Sequence, residues 1–269
     1  MIYIVGHKQF ELPVLDDNYL VIYVGDKIKE FAKENGLLTD DCCNEDNIAS
    51  KNATFCELTA LYWIWKNDNS DSFVGLNHYR RFFLSKVKKG EFLAGNEIRT
   101  SLETYDIILP KKLKFCHTIR QFYCRTTGYE KDLKSLENII EKDFPDYLEA
   151  YRYFLEGKEM VYANMFIMSK ENLGKYCNWL FDILFQLEEK IDLKDYTQAE
   201  KRVFGYMGEL LLNVWVIHNK LKVDYFEIIN TEKTNNFKNN FLNLIKQIAK
   251  EIIYFPSGVP YRRRLKKGK

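Results

Sequence analysis

Short apolar runs alternate with longer amphipathic stretches along most of the chain. Residues 2–5 and 20–24 are apolar runs that end at Gly6 and Gly25, and such runs predict buried β-strands. Further strands are expected at residues 72–76, 106–109, 161–168 and 223–229. Apolar residues at helical spacing predict helices at residues 27–35, 54–66, 130–142, 147–155, 172–189 and 198–219. This alternation of strands and helices predicts an α/β fold built on a layered sheet.

The C-terminal stretch differs from the rest of the chain in charge. The formal net charge is +2, but residues 237–269 hold nine Lys or Arg and one Glu, which leaves +8 there and −6 elsewhere. Residues 237–255 also place Phe, Leu and Ile on one helical face. A basic amphipathic helix with a polybasic end favours an anionic membrane surface; a helix packed on the domain with a solubilising tail is the alternative. We therefore predict a domain over residues 1–230 and a basic amphipathic tail over residues 231–269.

Composition narrows the class of protein. With 269 residues, of which 46% are hydrophobic, the chain can bury the core of one large α/β domain or two small ones. We find neither a secretory signal pattern nor an apolar run of the roughly 20 residues that a bilayer span requires. The expected location is the cytoplasm, peripheral to the inner face of the plasma membrane. The six cysteines form no Cys-x-x-Cys pair and the four histidines are scattered, so no zinc site is expected.

Polar and basic residues follow three of the expected strands. The clusters are Gly6-His7-Lys8, Asn77-His78-Tyr79-Arg80-Arg81 and Lys111-Lys112. Ligands of open α/β sheets bind at the carboxyl ends of the strands, and cations from three strand ends suit an anion with several phosphates. Arginine fits this role because its planar guanidinium donates two parallel hydrogen bonds to phosphate. A solvated surface location is the alternative for each cluster, and the chain has no Gly-x-Gly-x-x-Gly or Gly-Lys-Ser/Thr phosphate loop.

Two glutamates lie within otherwise apolar helical segments. A carboxylate in such a place is costly unless it is paired or functional. Glu57 fits a buried partner of Arg or Lys. Glu209 follows Gly205 and Gly208, small residues that are expected to leave room for a ligand. We expect Glu209 to be the general base that deprotonates an acceptor hydroxyl, with a structural ion pair as the alternative.

Seven segments in order along the chain resemble one known family. They are VGHK at 5–8, DNIASKN at 46–52, FCELTALYWIWKN at 55–67, VGLNHYRRFF at 74–83, DIILPKK at 106–112, NMFIM at 164–168, and RVFG at 202–205 leading to ELLLNVW at 209–215. With these segments the chain resembles the bacterial capsular and exopolysaccharide glycosyltransferases that were long catalogued only as a domain of unknown function. The resemblance runs from the first residues to the last expected strand and does not cover the basic tail.

The resemblance implies a nucleotide-sugar transferase with a single-domain, Rossmann-like fold of the GT-A type. Such enzymes often carry an Asp-x-Asp metal motif at the end of a middle strand. This chain has residues 77–81 at the comparable position, and its Asp68 and Asp71 come before the strand. We therefore expect a reaction without a metal, with Arg80 or Arg81 and Lys111 or Lys112 neutralising the leaving diphosphate. Dependence on Mn²⁺ or Mg²⁺ is the alternative.

The resemblance also implies the substrates. The donor is expected to be a UDP-sugar, with galactose in pyranose or furanose form as the first choice. The expected acceptor is a lipid-linked oligosaccharide of capsular or exopolysaccharide synthesis. His7, Lys8, residues 77–81 and Asn164 are expected to contact the nucleotide sugar, and Glu209 to activate the acceptor, which predicts inversion. Residues 160–163 depart from the family pattern and are expected to line the sugar pocket.

Two other function classes remain open. A non-catalytic module for polysaccharide or nucleic acid should interleave basic residues with exposed aromatics. The net charge of −6 outside the tail argues against nucleic acid as a partner. A nucleotidyltransferase with a similar sheet should require Mg²⁺, so metal dependence separates it from a metal-independent glycosyltransferase.

Overall fold

A computed structural model describes residues 1–42, 46–70 and 72–232 of the protein. The strands in these ranges are β1 (Ile2–Gly6), β2 (Tyr19–Tyr23), β3 (Val74–His78), β4 (Arg81–Phe83), β5 (Ile107–Pro110), β6 (Leu113–Lys114), β7 (Glu159–Met160), β8 (Phe166–Met168), β9 (Val223–Phe226) and β10 (Ile228–Asn230). The helices are α1 (Asp26–Glu34), α2 (Asn52–Phe55), α3 (Leu58–Asn67), α4 (Gly95–Leu102), α5 (Ile119–Thr126), α6 (Glu130–Asp143), α7 (Leu148–Glu156), α8 (Lys170–Lys190) and α9 (Val203–His218). The helix expected at residues 237–255 lies outside the described residues.

Eight of the described strands form one sheet, with β3 near its centre. β1 runs parallel to β2 and β3, and β5 runs parallel to β9. β8 lies between β3 and β5 and is antiparallel to both, so β3 and β5 point the same way. β4 returns from β3 through a tight turn and pairs with β10. The carboxyl ends of β1, β3 and β5 therefore meet at one edge of the sheet.

Helices cover both faces of this sheet, which explains the unbroken apolar runs in its strands. Side chains alternate across a strand, so Tyr3 and Val5 of β1 join the large core formed with α3 and α6 to α9. Ile2 points the other way, into a smaller core with Ile98 of α4. None of the helices in the described ranges is long and apolar enough to span a membrane.

The helix expected at residues 54–66 is two helices instead. α2 ends at Phe55, and Cys56 has a left-handed backbone with φ of 55° before α3 begins at Leu58. The Asn52 amide donates to the Cys56 carbonyl at 2.8 Å, and the Thr59 hydroxyl donates to the same oxygen at 3.1 Å. The prediction was wrong here because these side chains hold a turn that the apolar spacing does not show. This turn places Glu57 at the amino end of α3.

Two expected strands are also divided. In place of one strand at residues 161–168, β7 ends at Met160 and β8 begins at Phe166. The chain between them is irregular because the Asn213 side chain binds both backbone groups of Val161, accepting at 2.9 Å and donating at 3.0 Å. The expected strand 223–229 splits into β9 and β10 because the two halves pair with β5 and β4, at opposite ends of the main strand order. The last expected helix begins at Val203 rather than 198, after a 3₁₀ turn at Glu200–Arg202.

Candidate active site at the carboxyl edge of the sheet

Four predicted site residues form a cationic rim at the carboxyl edge, defined here as His7, Lys8, Tyr79 and Arg80. The rings of His7 and Tyr79 are perpendicular, with their centroids 5.0 Å apart. Lys8 Nζ lies 5.2 Å and Arg80 Cζ 5.6 Å from the centre of the Tyr79 ring. The Glu232 carboxylate accepts from both cations, at 2.8 Å from Lys8 and 3.2 Å from Arg80. Two side chains from separate strand ends thus converge on one anionic group.

Burial and the charges of the rim shift the pKa values of His7, Lys8 and Glu232. Burial lowers the pKa of His7, and the nearby charges of Lys8 and Arg80 lower it further. The hydrogen bond between Lys8 and Glu232 raises the pKa of the lysine and lowers that of the carboxyl. At neutral pH the rim therefore presents the positive charges of Lys8 and Arg80 beside a neutral imidazole, a combination suited to an anion.

Lys111 and Lys112 lie at the same edge but farther along it. Lys111 Nζ is 2.6 Å from a Glu227 carboxylate oxygen, and Lys112 Nζ lies 5.7 Å from the centre of the Tyr225 ring. β8 separates β5 from β3 in the sheet, so these lysines belong to the β5–β9 side. The structure therefore does not bring them into contact with the rim.

A second group of side chains, called here the buried cluster, consists of the buried Asn164 and the half-buried Glu57, His78 and Glu209. Asn164 Nδ2 donates to Glu57 Oε1 at 2.8 Å and to the Gly205 carbonyl at 3.1 Å. His78 Nε2 lies 4.0 Å from the same Glu57 oxygen. Among the described residues, neither His78 Nε2 nor Asn164 Oδ1 has a hydrogen-bond partner. Glu57, expected to pair with Arg or Lys, thus contacts an amide and faces an imidazole.

Burial sets the protonation of this cluster. It lowers the pKa of His78 to about 4, helped by the charges of Arg81 and Arg80, so the ring is neutral at physiological pH. It raises the pKa of Glu209 to about 8, and the negative charge of Glu57 adds to the effect. The resting protein therefore holds Glu209 mostly protonated at pH 7.

The spacing of residues on α9 builds one wall of the site. Tyr206, Glu209 and Asn213 recur every three or four residues and therefore share one helix face. Asn213 fixes Val161, and the backbone N–H of Ala163 donates to the Glu209 carboxyl. Ala163 has φ of 76°, which turns the chain between β7 and β8 back towards α9.

Gly205 and Gly208 allow α9 to approach its neighbours closely. A Cβ at Gly205 would lie 3.1 Å from the Cys56 sulfur, and one at Gly208 would lie 2.8 Å from Leu58 Cδ1. These spaces are filled by protein, so the expectation that the two glycines leave room for a ligand was wrong. They bring α9 against the turn that carries Glu57.

Two arginines flank the buried cluster, each over a tyrosine. Arg81 Cζ lies 5.6 Å from the centre of the Tyr162 ring, and Arg202 Cζ lies 5.5 Å from that of Tyr206. Arg202 Nε also donates to the Cys56 sulfur at 3.1 Å. Sequence reasoning chose Arg81, and included Tyr162 in the segment expected to line the sugar pocket, but missed Arg202 and Tyr206 as site residues. The available signal was the position of Arg202 directly before α9, four residues from Tyr206 and seven from Glu209.

A cavity of about 230 Å³ lies between α5, the segment after β7, and α9. Glu209 and Tyr206 contribute to its α9 wall, and Tyr162 to the wall formed by the segment after β7. The prediction that residues 160–163 line a pocket matches the positions of Met160 and Tyr162. The carboxyl chosen as a general base thus faces a space that a ligand can enter.

Asn77 was predicted to contact the nucleotide sugar, and Asp68 was judged to be wrongly placed for a metal motif. Asn77 is fully buried, and strand alternation puts its side chain on the sheet face opposite to that of His78. Asp68 accepts from the Tyr3 hydroxyl at 2.8 Å and from the Ser70 hydroxyl at 2.6 Å. Within residues 1–42, 46–70 and 72–232, no group of three or more His, Cys, Asp or Glu side chains is arranged to hold a metal ion.

Comparison with known proteins places this site in context. The chain is similar to the apo structure of WbbM, described as a bifunctional glycosyltransferase, with 30% sequence identity and a TM-score of 0.73. The similarity covers 85% of this chain but 45% of WbbM, so the chain spans less than half of that protein. No curated protein matches the chain. The predicted α/β, Rossmann-like glycosyltransferase fold is confirmed. Residues 1–220 match the family described as a domain of unknown function (DUF4422), and the chain belongs to that family.

Proposed function

We propose that the protein is a glycosyltransferase that moves a sugar from a nucleotide-sugar donor to a glycan acceptor. The observation that carries this proposal is the position of Glu209, a half-buried carboxyl on the wall of a cavity, close to the charges of Arg81 and Arg202. The similarity to WbbM supports the same reaction class. The donor would lie along the carboxyl edge of the sheet, where Lys8 and Arg80 already hold a carboxylate.

The cations of the site stabilise the leaving diphosphate. As the bond between the sugar and the phosphate breaks, negative charge develops on the phosphate oxygen. Arg81 and Arg80, aided by Lys8, offer fixed positive charge and several N–H donors to that oxygen. We propose that these residues act without a divalent metal.

Glu209 acts as the general base in this proposal. Its ionised carboxylate accepts the proton of an acceptor hydroxyl, the hydroxyl oxygen bonds to the anomeric carbon, and the nucleoside diphosphate leaves with the electrons of the broken bond. One direct displacement inverts the configuration at that carbon. The raised pKa of Glu209, about 8, makes it a stronger base than an ordinary carboxylate once it is ionised.

We further propose UDP-galactose, in pyranose or furanose form, as the donor. The acceptor would be a lipid-linked oligosaccharide of capsular or exopolysaccharide synthesis, at the inner face of the plasma membrane. The basic tail that would bring the enzyme to this membrane lies outside the described residues. These finer assignments rest on the family resemblance of the ordered sequence segments.

Titration calorimetry with UDP, in the presence and absence of Mn²⁺, tests the proposal. The wild-type protein should bind UDP without metal, and Arg80→Ala should weaken binding about tenfold or more. Lys88→Ala, which changes a surface lysine paired with Glu91, is the matched control and should bind like wild type. Binding that appears only with Mn²⁺ would contradict the metal-free mechanism.

The same titration separates the other function classes. Failure to bind UDP under either condition would contradict a UDP-sugar donor and point first to another nucleotide; failure to bind any nucleotide would favour a non-catalytic binding module. Binding of a nucleoside triphosphate with Mg²⁺, but not of UDP, would favour a nucleotidyltransferase.

A further inference from the structure

The cavity beside Glu209 has three walls that come from separate parts of the fold. Thr126 lies four residues after Phe122 and three after Tyr123, so it shares a face of α5 with each of them. Tyr206 and Glu209, with Leu210, form the α9 wall. The third wall is the segment that follows β7. The cavity reaches the surface, since Thr126 and Tyr162 are both exposed.

The α5 wall is held in place before any ligand binds. The Tyr123 hydroxyl donates to buried Asp132 at 3.3 Å. The chain passes directly over this hydroxyl at Gly128, where a Cβ would lie 2.1 Å from the oxygen. Only glycine permits this approach, so the ring of Tyr123 has a fixed position at the back of the cavity.

The chemistry of the lining suits a neutral, partly apolar molecule. Four aromatic rings line the cavity, together with two threonine hydroxyls and one carboxyl. The described residues that line it include no Lys or Arg, so none of these side chains offers a cation to a phosphate. A sugar ring matches this lining because its C–H groups pack on aromatic faces while its hydroxyls bond to polar groups at the edges.

The size of the cavity limits its occupant. Its volume of about 230 Å³ lies below the roughly 300–1,000 Å³ of pockets that enclose a drug-sized ligand. One monosaccharide ring fits this space, whereas a complete nucleotide sugar does not.

Positive charge lies at the walls of the cavity and not inside it. Arg81 packs over the ring of Tyr162, and Arg202 packs over the ring of Tyr206. Each of these two lining tyrosines is therefore in contact with a guanidinium group. Both guanidinium groups lie within 5.6 Å of the centre of a ring that lines the cavity. This arrangement separates a neutral subsite from an anionic one.

We propose that the cavity is a subsite for one neutral sugar ring, and that Arg81 and Arg202 hold the phosphate groups beside it. This proposal rests on the proposed glycosyltransferase function. It adds a sugar subsite to that function and adds Arg202 to the residues that bind phosphate. The ring is either the sugar of the donor or the terminal sugar of the acceptor. Glu209 contacts a sugar hydroxyl in either case.

Filling the cavity tests the subsite. Thr126→Trp places an indole at the exposed end of α5, inside the cavity, and Thr100→Trp makes the same change at an exposed position on α4 as a control. Calorimetry with UDP and a panel of UDP-hexoses measures how much the sugar adds to UDP affinity. Saturation-transfer NMR with methyl hexosides measures binding of a free sugar ring.

We expect Thr126→Trp to bind UDP within about twofold of wild type and to lose binding of the ring, while Thr100→Trp retains both. If the ring belongs to the donor, the variant loses the extra affinity of UDP-hexose over UDP. If it belongs to the acceptor, the variant loses saturation transfer to the methyl hexoside. A variant that retains both signals, or a wild-type protein that shows neither, would overturn the proposal.

Arg202→Gln tests the anionic half of the subsite. It should weaken UDP binding about tenfold and leave saturation transfer to the methyl hexoside unchanged; equal UDP binding would overturn this part. The proposed function fails by a different result, the absence of UDP binding to the wild type. In that case a methyl hexoside signal that Thr126→Trp abolishes would still support a sugar subsite.

Discussion

The cationic rim and the buried cluster lie at the same edge of one sheet but are built in different ways. Lys8, Arg80 and Glu232 are held by exposed ion pairs, which contribute little to stability and exchange readily. Glu57 and Glu209 are held by left-handed backbone turns and by close helix contacts. The two regions therefore suit different roles. The rim can exchange the Glu232 carboxylate for a phosphate of the ligand, whereas the buried cluster holds the Glu209 carboxyl in a fixed position.

The largest effect is expected at Glu209. Glu209→Gln keeps the shape of the side chain but removes the group that accepts the acceptor proton, so turnover should fall about 10²- to 10⁴-fold. Binding of UDP should stay within twofold of wild type because the rim is intact. Steady-state rates of UDP release from a UDP-hexose, with calorimetry alongside, measure both quantities. Equal losses of turnover and UDP affinity would show that Glu209 shapes the donor site instead.

The pH dependence of the rate gives the next largest effect. A base must be ionised, and burial raises the pKa of Glu209 from 4.5 to about 8. The value of kcat/KM should therefore rise about tenfold per pH unit below pH 8 and level off above it. The slope should disappear in the residual activity of Glu209→Gln. A profile already flat at pH 6 would mean that another group takes the proton.

The packing that supports the cluster gives an effect of intermediate size. Gly208→Ala places a methyl group 2.8 Å from Leu58 and 3.3 Å from Asn164 Oδ1, and should destabilise the fold by about 1–3 kcal/mol. Gly174→Ala, in an open position on α8, is the matched control and should stabilise the fold by about 0.5–1 kcal/mol. Urea unfolding measures both changes. Similar values for the two variants would contradict the close approach of α9.

The smallest effect is expected at the rim. Glu232→Gln removes the carboxylate that competes for Lys8 and Arg80, so UDP affinity should rise about twofold to threefold while stability changes by less than about 1 kcal/mol. Glu171→Gln breaks a surface ion pair on α8 and should leave UDP affinity unchanged. Weaker UDP binding by Glu232→Gln would show that this carboxylate positions the cations for the ligand.

Much of the edge of the sheet could be predicted from sequence because each part of it is local. An apolar run that ends at Gly6 or Pro110 defines a strand and its carboxyl end, and the polar residues follow directly. The supports of the cluster depend on contacts between distant residues. The spacing of Phe55, Leu58 and Leu61 is helical on both sides of Cys56, so the turn there leaves no trace in the pattern. Asn213 is a polar residue within the mostly apolar helix α9. Its presence there was a sign in the sequence that its side chain binds a neighbouring backbone, which in the structure is that of Val161.

The most direct test of the central claim is transfer of labelled sugar from nucleotide sugars to a lipid-linked oligosaccharide fraction. The wild-type protein is incubated with radiolabelled UDP-hexoses, with and without Mn²⁺, beside Glu209→Gln as the inactive comparison. A nucleotide-sugar transferase predicts label in the lipid fraction with wild type, without added metal, and a loss of at least a hundredfold with Glu209→Gln. Absence of label from every UDP-hexose, or equal labelling by both proteins, would contradict the account.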